Sequence, residues 1–225
     1  MINNWKLGFK ILRHGYGLVM NIIQGIAFCV LGIAFLLFET LMPPYGRMMA
    51  GQVIILCIGM LPVQMLYSLS ASNLVLTSPV RKKLQTSVPA QLTWGGMTLL
   101  YLIIVLIRAA MSGKFPEGKS SVCNELVILG LVAMIIMLYM GIAYKYFVVS
   151  LVFLIPVIYS SVYMGMWADM KWSIFSQNNA SFILATVIGL ACIAAGAMGQ
   201  YLLTLLLYKK PLSKMAQAAP LRKEL

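Results

Sequence analysis

The chain has 225 residues, of which 61% are hydrophobic and only 10% are charged, and its formal net charge is +12. A water-soluble domain normally carries about 25% charged residues. This composition therefore excludes a soluble globular protein and indicates an integral membrane protein. It also disfavours nucleic acid as the partner of the positive charge, because the chain leaves no soluble domain to present a groove-reading element.

Residues 1–19 predict an amphipathic helix that lies in the cytoplasmic headgroup layer. Aromatic and basic side chains recur there at helical spacing and form two neighbouring stripes, a pattern typical of helices in the membrane interface. The residues that carry this interpretation are Trp5, Lys6, Phe9, Lys10 and Arg13. The alternative is a signal-anchor flank whose basic residues only set the orientation of the first span.

Six apolar runs follow, each near the length of about 20 residues that a helix needs to cross a bilayer. They cover about 20–41, 50–70, 93–112, 124–143, 146–168 and 180–208. Barrel strands would be about 10 residues long and would alternate in polarity, which these runs do not. The sequence thus predicts an all-α polytopic membrane protein. Its six spans occupy 20–208, between the interfacial helix and a basic tail at 209–225.

The basic residues predict that both termini are cytoplasmic. With the N-terminus inside, 12 of the 17 basic residues fall on the inner side, as the positive-inside rule requires. The inner set is Lys6, Lys10, Arg13, Arg81, Lys82, Lys83, Lys145, Lys209, Lys210, Lys214, Arg222 and Lys223. The outer set is Arg47, Arg108, Lys114, Lys119 and Lys171. The inner charge can meet anionic lipid or an acidic partner surface.

The largest inner loop, 71–92, contains a predicted short basic helix. Ser78 and Pro79 provide a helix start, and the helix runs from Val80 to Val88 until Pro89 interrupts the pattern before the third span. A basic element held close to the membrane suggests a docking surface, although a plain connecting loop would also satisfy the topology.

The stretch "GKFPEGKS" at 113–120 matches the phosphate-binding motif G-x-x-x-x-G-K-[ST]. That motif works only between a strand and a helix of an α/β sheet. Here it falls on the outer side between two predicted membrane helices, so we interpret it as a surface turn.

The sequence predicts no chemistry inside the membrane. The four cysteines show no C-x-x-C spacing, and no H-E-x-x-H or G-x-S-x-G motif is present. Glu39 and Glu125 are placed near the outer ends of their spans, which leaves no carboxylate relay across the bilayer. We therefore expect neither a catalytic residue nor a metal site. In the last span, Ala191, Ala195 and Gly199 form a small-residue ridge that predicts close helix packing.

Taken together, the interfacial helix, six spans, basic loop helix and basic tail resemble the type-two ABC-transporter permeases. The loop "ASNLVLTSPVRKKLQT" is especially similar to the corresponding loop of small bacterial half-permeases. The resemblance implies a non-catalytic subunit of the bacterial cytoplasmic membrane. Such a subunit dimerises with a second copy or a paralogue and is driven by separate ATP-binding subunits. ATP and Mg²⁺ would then bind the partner chain, and this chain would need no cofactor.

The resemblance also assigns residues. It implies that the ATPase docks on the basic loop, with the interfacial helix close by, and that spans two and five face the pathway. The docking residues would be Ser78, Pro79, Arg81, Lys82 and Lys83. The candidate pathway residues are Met60, Met65, Tyr159 and Tyr163.

The substrate implied by the resemblance is an amphipathic peptide of the toxin or antimicrobial type, such as a phenol-soluble modulin. The 17 methionines and many aromatic residues give an adaptable apolar surface that suits such a cargo. A drug or lipid exporter of the same family is the alternative. Two interpretations from other classes stay open, namely a secondary carrier or flippase that works alone and a membrane scaffold without transport.

Overall fold

The computed structural model describes residues 6, 18–41, 49–70, 79, 81–111, 118–143, 145–146, 152, 155–156, 159 and 181–209. Within these ranges the regular elements are all helical. They are α1 (Leu18–Leu41), α2 (Ala50–Cys57), a 3-10 turn (Ile58–Met60), α3 (Leu61–Ser70), α4 (Arg81–Gln85), α5 (Ser87–Met111), α6 (Gly118–Ala143) and α7 (Phe182–Leu207). The predicted all-α membrane class is confirmed at this level.

Four stretches of the described chain are long and apolar enough to cross a membrane: Asn21–Phe38, Arg81–Ala110, Ser120–Ala143 and Phe182–Leu207. Ala50–Gln64 is a shorter apolar helical stretch. The α6 window is the most central, with 67% of its residues buried, against 11% for α1 and 22% for α7. The peripheral helices expose large aliphatic side chains, as expected for surfaces that meet lipid.

The helices α6 and α7 pack along most of their lengths and run parallel. A Cβ built on Gly130 would lie 2.5 Å from Gly189 Cα, and one built on Gly196 would lie 2.9 Å from Met134 Cα. The pairing therefore advances in the same direction along both helices. Because only hydrogen atoms fill these positions, the two backbones come into near contact, as small residues allow in membrane bundles.

The packing face of α7 is not the ridge that the sequence predicted. Ala191 and Ala195 are exposed, and Gly199 alone of that set lies against α6, beside the Leu138 side chain. The buried face instead contains Ala185, Gly189, Ile193, Gly196, Gln200 and Thr204. Both stripes have helical spacing, so small residues alone did not identify the side that faces α6.

Proline positions explain two departures from the predicted boundaries. The second span is divided by the 3-10 turn Ile58–Met60, which ends two residues before Pro62. Pro62 lacks an N–H group and crowds the preceding turn. The predicted break at Pro89 is wrong, because Pro89 lies in the first turn of α5. Proline is tolerated there, since the first N–H groups of a helix have no partner within the helix. The interruption falls at Thr86, a single turn residue between α4 and α5.

Several predicted elements lie wholly or mostly outside the described residues. Of the predicted interfacial helix at 1–19, the structure describes Lys6, which is helical and exposed, and Leu18 and Val19, which begin α1. Of the fifth span, Val152, Ile155, Pro156 and Tyr159 are described, all with helical backbone. The tail beyond Lys209 lies outside the described ranges. The six-span count therefore stays a prediction.

Candidate functional site

The bundle has a basic end, which we define as the end that carries Arg81, Lys82, Lys83, Lys145 and Lys209. The helix α5 begins there, and α6 and α7 finish there. Lys82, Lys83 and Lys209 are exposed, whereas Lys145 has only 1% of its surface accessible. Charged groups of one sign therefore gather where three helices meet.

The short basic helix α4 is fixed to the bundle through its apolar side. Leu84 and Gln85 are buried, while Lys82 and Lys83 point outward. The Thr86 backbone N–H donates to the Lys82 carbonyl at 3.1 Å, and the Thr86 hydroxyl donates to the same oxygen at 2.7 Å. These two bonds join Thr86 to α4, and the Ser87 hydroxyl at the start of α5 donates to the Lys83 carbonyl at 3.3 Å. The helix α4 therefore leads directly into α5.

Arg81, at the start of α4, interacts with groups just past the ends of α6 and α7. Its Cζ atom lies 5.8 Å from the centre of the Tyr208 ring, just past the end of α7, a geometry suited to a cation–π contact. Its charge also acts on Lys145, just past the end of α6. Burial, and then the positive charge of Arg81, lower the pKa of Lys145 from its ordinary value. A displacement of α4 would consequently change the contact of Arg81 with Tyr208 and its electrostatic effect on Lys145.

The other predicted docking and interfacial residues are only partly covered. Pro79 lies in an exposed turn that precedes α4. Ser78 lies outside the described residues, as do Trp5, Phe9, Lys10 and Arg13. The structure brings Arg81, Lys82 and Lys83 together on one short helix, and it describes Lys6 separately on another helical segment.

The candidate pathway residues lie in different surroundings. Met60 is buried in the core at the 3-10 turn, whereas Tyr159 has 65% of its surface exposed. Met65 lies within α3, and Tyr163 lies outside the described residues. An enclosed methionine and an exposed tyrosine do not share one surface of the single chain.

The structure contains a buried polar cluster that the sequence analysis missed. At the end of the bundle opposite the basic end, Arg108 Nη2 lies 3.0 Å from Glu125 Oε2. Both residues are enclosed, with 6% and 5% of their surface exposed. Arg108 was counted among the outer basic residues; it belongs to the last turn of α5, and its side chain is buried in the core.

Gln52, near the start of α2, completes this cluster. In one amide orientation its Nε2 lies 3.5 Å from Glu125 Oε2. With the amide turned over, its oxygen accepts from Arg108 Nε at 3.1 Å and also from Nη2. The second orientation satisfies the buried guanidinium better, because both close contacts with Arg108 then join a donor to an acceptor. The Gln52–Arg108–Glu125 cluster therefore joins α2, α5 and α6.

An unpaired charge at this depth is costly, so charged residues inside a membrane bundle pair with each other. Such a cluster can hold helices together, or it can bind an ion that the protein transports. The signal in the sequence was the placement of three polar residues near the same ends of three predicted spans. The sequence analysis placed Arg108 on the outer side and Glu125 near the outer end of its span, and it did not consider Gln52; a pairing of span ends would have found the cluster.

The described residues give no support to metal or nucleotide chemistry. No group of three His, Cys, Asp or Glu side chains lies close enough together to hold a metal ion within the described ranges. All four cysteines are free. In the "GKFPEGKS" stretch, Gly118 begins α6, and the element before the stretch is the helix α5 rather than a strand. The match to the phosphate-binding motif thus lacks the strand that a nucleotide site requires.

Comparison with known proteins gives the chain no relative. No protein-family model, curated protein or solved structure matches it.

Proposed function

We propose that the chain is the membrane-spanning permease subunit of a bacterial ATP-driven exporter. In this proposal it forms the translocation pathway as a dimer in the cytoplasmic membrane, and separate ATP-binding subunits power it. The observation that carries the proposal is the way in which α4 is attached to the bundle. Two exposed lysines project from a short helix that leads into a membrane-crossing helix, and Arg81 of the same short helix lies over the Tyr208 ring just past the end of α7. A partner that pushed on α4 would move the bundle.

Electrostatics support a protein partner at this position. Lys82 and Lys83 are exposed beside each other on a helix whose opposite side is buried, so their charges are presented in a fixed direction. Fixed charges of one sign favour association with a complementary acidic surface and set its orientation. ATP and Mg²⁺ belong to the partner in this proposal.

The test is co-purification of ATP hydrolysis with the full chain. The tagged chain would be isolated in mild detergent from membranes of its native host, and ATP hydrolysis in the eluate would be measured. We expect the Lys82→Glu/Lys83→Glu variant to lose about tenfold or more of that activity, because it places like charges against the acidic surface. Lys209→Glu is the matched control, since Lys209 is exposed at the same end but lies outside α4.

Either of two results would contradict the proposal. One is a wild-type eluate without ATP hydrolysis. The other is a double variant that keeps full activity while its thermal unfolding midpoint stays unchanged.

We propose amphipathic peptides as the cargo, with drugs or lipids as the alternative. The 17 methionines offer flexible, polarizable side chains that adapt to varied apolar surfaces. Deleting the gene should sensitise the native host to amphipathic helical peptides more than to a lipophilic cationic drug. The opposite order of sensitivity would favour drug export by the same subunit.

One observation favours a second candidate, a secondary carrier that works alone. The Gln52–Arg108–Glu125 cluster places a carboxylate and a guanidinium inside the bundle, where ion-coupled carriers hold such groups. Proteoliposomes with the purified chain alone would distinguish the two functions. A carrier would move a fluorescent amphipathic peptide in response to a proton or sodium gradient, and Glu125→Gln would abolish that movement.

A further inference from the structure

An open groove lies between α5 and α7 in the half of the bundle nearest the basic end. Its volume is about 330 Å³, and it is lined by Ser87, Ala90, Gln91, Trp94, Ala197, Met198 and Tyr201. Ala90 and Ala197 lie at its inner side, Met198 is exposed at its edge, and the partly exposed side chains of Trp94 and Tyr201 stand on opposite helices. The groove therefore opens on the outside of the bundle, where a membrane protein meets lipid.

The groove leads toward exposed positive charge. Ser87, in its wall, donates its hydroxyl to the Lys83 carbonyl at 3.3 Å, which places Lys83 one turn closer to the basic end. On the other wall, Tyr208 follows Tyr201 by two helical turns and lies beneath the Arg81 guanidinium. Among the side chains that the structure describes, the acidic one is Glu125, and it lies at the opposite end.

We propose that this groove binds an anionic phospholipid, with an acyl chain between α5 and α7 and the phosphate beside Lys83 and Arg81. An apolar channel that ends at clustered basic residues matches the two parts of such a molecule, as in other basic pockets between membrane helices. The volume is near the lower limit of the range of about 300–1,000 Å³ that small-ligand pockets occupy. A packed helix has a diameter of about 10–12 Å and needs a longer and wider surface than this one.

The groove between α5 and α7 lies outside the proposed ATPase contact. The acyl chain would use the side of α5 that faces α7, whereas the docking proposal uses the outward side of α4; the two proposals share Arg81 and Lys83. Binding of lipid to the purified chain requires no ATPase, so the two proposals can fail independently.

Trp94 provides the probe. A full-length chain with Trp5, Trp167 and Trp172 replaced by Phe keeps Trp94 as its only tryptophan. It would be reconstituted in phosphatidylcholine vesicles that contain a small, equal fraction of either brominated phosphatidylglycerol or brominated phosphatidylcholine. We expect Trp94 to be quenched several-fold more by the anionic lipid, because each basic side chain near a headgroup raises anionic-lipid affinity by about fivefold.

Three matched variants separate the groove from general attraction to the basic end. Leu99→Trp in a Trp94→Phe background places the probe on the same helix at an exposed position outside the groove lining, and we expect equal quenching by the two lipids. Lys83→Gln leaves the groove intact and should bring the Trp94 ratio close to one. Ala197→Phe fills the groove and keeps every charge, and it should do the same.

Equal quenching of Trp94 by both lipids in the parent chain would overturn the proposal. So would a preference for the anionic lipid that survives both Lys83→Gln and Ala197→Phe, since that would mean attraction to the surface alone. A Trp94 that neither lipid quenches would mean that another occupant, such as a second copy of the chain, covers the groove. If Ala197→Phe fails to fold, Lys83→Gln alone decides the result, because Lys83 is exposed.

Discussion

The Arg108 guanidinium and the Glu125 carboxylate form a buried ion pair, with Nη2 and Oε2 separated by 3.0 Å. The two residues belong to consecutive membrane-crossing helices, α5 and α6. The pair fixes the relative position of these helices near the end where α5 finishes. It also means that Arg108, one of the five basic residues assigned to the outer side, is buried within the bundle.

The pair predicts a large asymmetry between single and double replacements. Glu125→Gln leaves the guanidinium buried without its counter-charge and should destabilise the protein by about 3–5 kcal/mol. The double variant Arg108→Met/Glu125→Leu leaves no buried charge and should regain most of that loss. The measurement is thermal unfolding in one detergent, with the exposed Lys82→Met as control.

Equal losses for the single and double variants would show that shape, rather than charge, holds α5 and α6 together. A neutral Glu125→Gln variant would mean that water reaches the guanidinium.

The position of Gly189 predicts that two small residues of α7, Gly189 and Ala191, differ in their tolerance of a larger side chain. A Cβ at Gly189 would meet the Tyr101 hydroxyl, whose own hydrogen bond to the Leu126 carbonyl is 3.2 Å long. Gly189→Ala should therefore displace Tyr101 and cost about 1–3 kcal/mol, the usual range for overpacking. Ala191→Leu, on the exposed side of α7, should leave the unfolding midpoint nearly unchanged. If both variants behaved alike, the observed orientation of α7 would be wrong.

Thr93 and Gln200 predict a measurable coupling between α5 and α7. The Gln200 amide donates to the Thr93 hydroxyl at 3.1 Å, and that hydroxyl donates to the Pro89 carbonyl at 2.8 Å. Double-mutant cycles in membrane bundles give about 0.6 kcal/mol for such bonds on average. Thr93→Val and Gln200→Leu should couple by about that amount or somewhat more, because both side chains are fully buried. A coupling of zero would mean that the two side chains do not meet.

Lys145 predicts a stability that rises with pH. Burial and the charge of Arg81 lower the pKa of Lys145 in the folded protein below its ordinary value of 10.5. Between those two pKa values the unfolded chain binds more protons than the folded chain, so the free energy of unfolding increases as the pH rises through that window. The stabilisation is complete above 10.5 and is lost as the pH falls through the folded-state pKa.

The check on Lys145 is the difference in unfolding midpoint between the wild type and Lys145→Met as the pH is raised toward 10.5. Lys145→Met should be less sensitive to pH over this range, since it has no proton to lose. Lys82→Met serves as the control for general charge effects. A wild-type curve that matches that of Lys145→Met would mean that Lys145 is solvated.

Much of the fold was predictable because the length and polarity of a membrane helix follow from the bilayer. The runs at 20–41 and 180–208 agree with Leu18–Leu41 and Phe182–Leu207 to within about two residues, the usual uncertainty of helix ends. The basic helix after Pro79 was also found, in a slightly shorter form. These features depend on local composition alone.

The candidate sites were harder to predict because they depend on which side of a helix faces which neighbour. Ala191 and Gly189 both suit close packing, and only the contact with Tyr101 and α6 selects Gly189. Arg108 and Glu125 each resemble the polar end of a span, and their pairing appears only when α5 and α6 are placed side by side. Pro89 was misread for a related reason, because its effect depends on its position within the helix.

Only the turn residue Thr86 separates α4 from α5, so the two helices together form one rod-like stretch. Arg81–Ala110 spans 30 residues, and at a rise of about 1.5 Å per residue the rod is about 45 Å long. That length matches a bilayer of about 40–45 Å including both headgroup layers. The rod carries the exposed lysines at one end and Arg108 at the other. The same membrane-crossing stretch therefore connects the exposed Lys82 and Lys83 at one headgroup layer to the buried ion pair near the other.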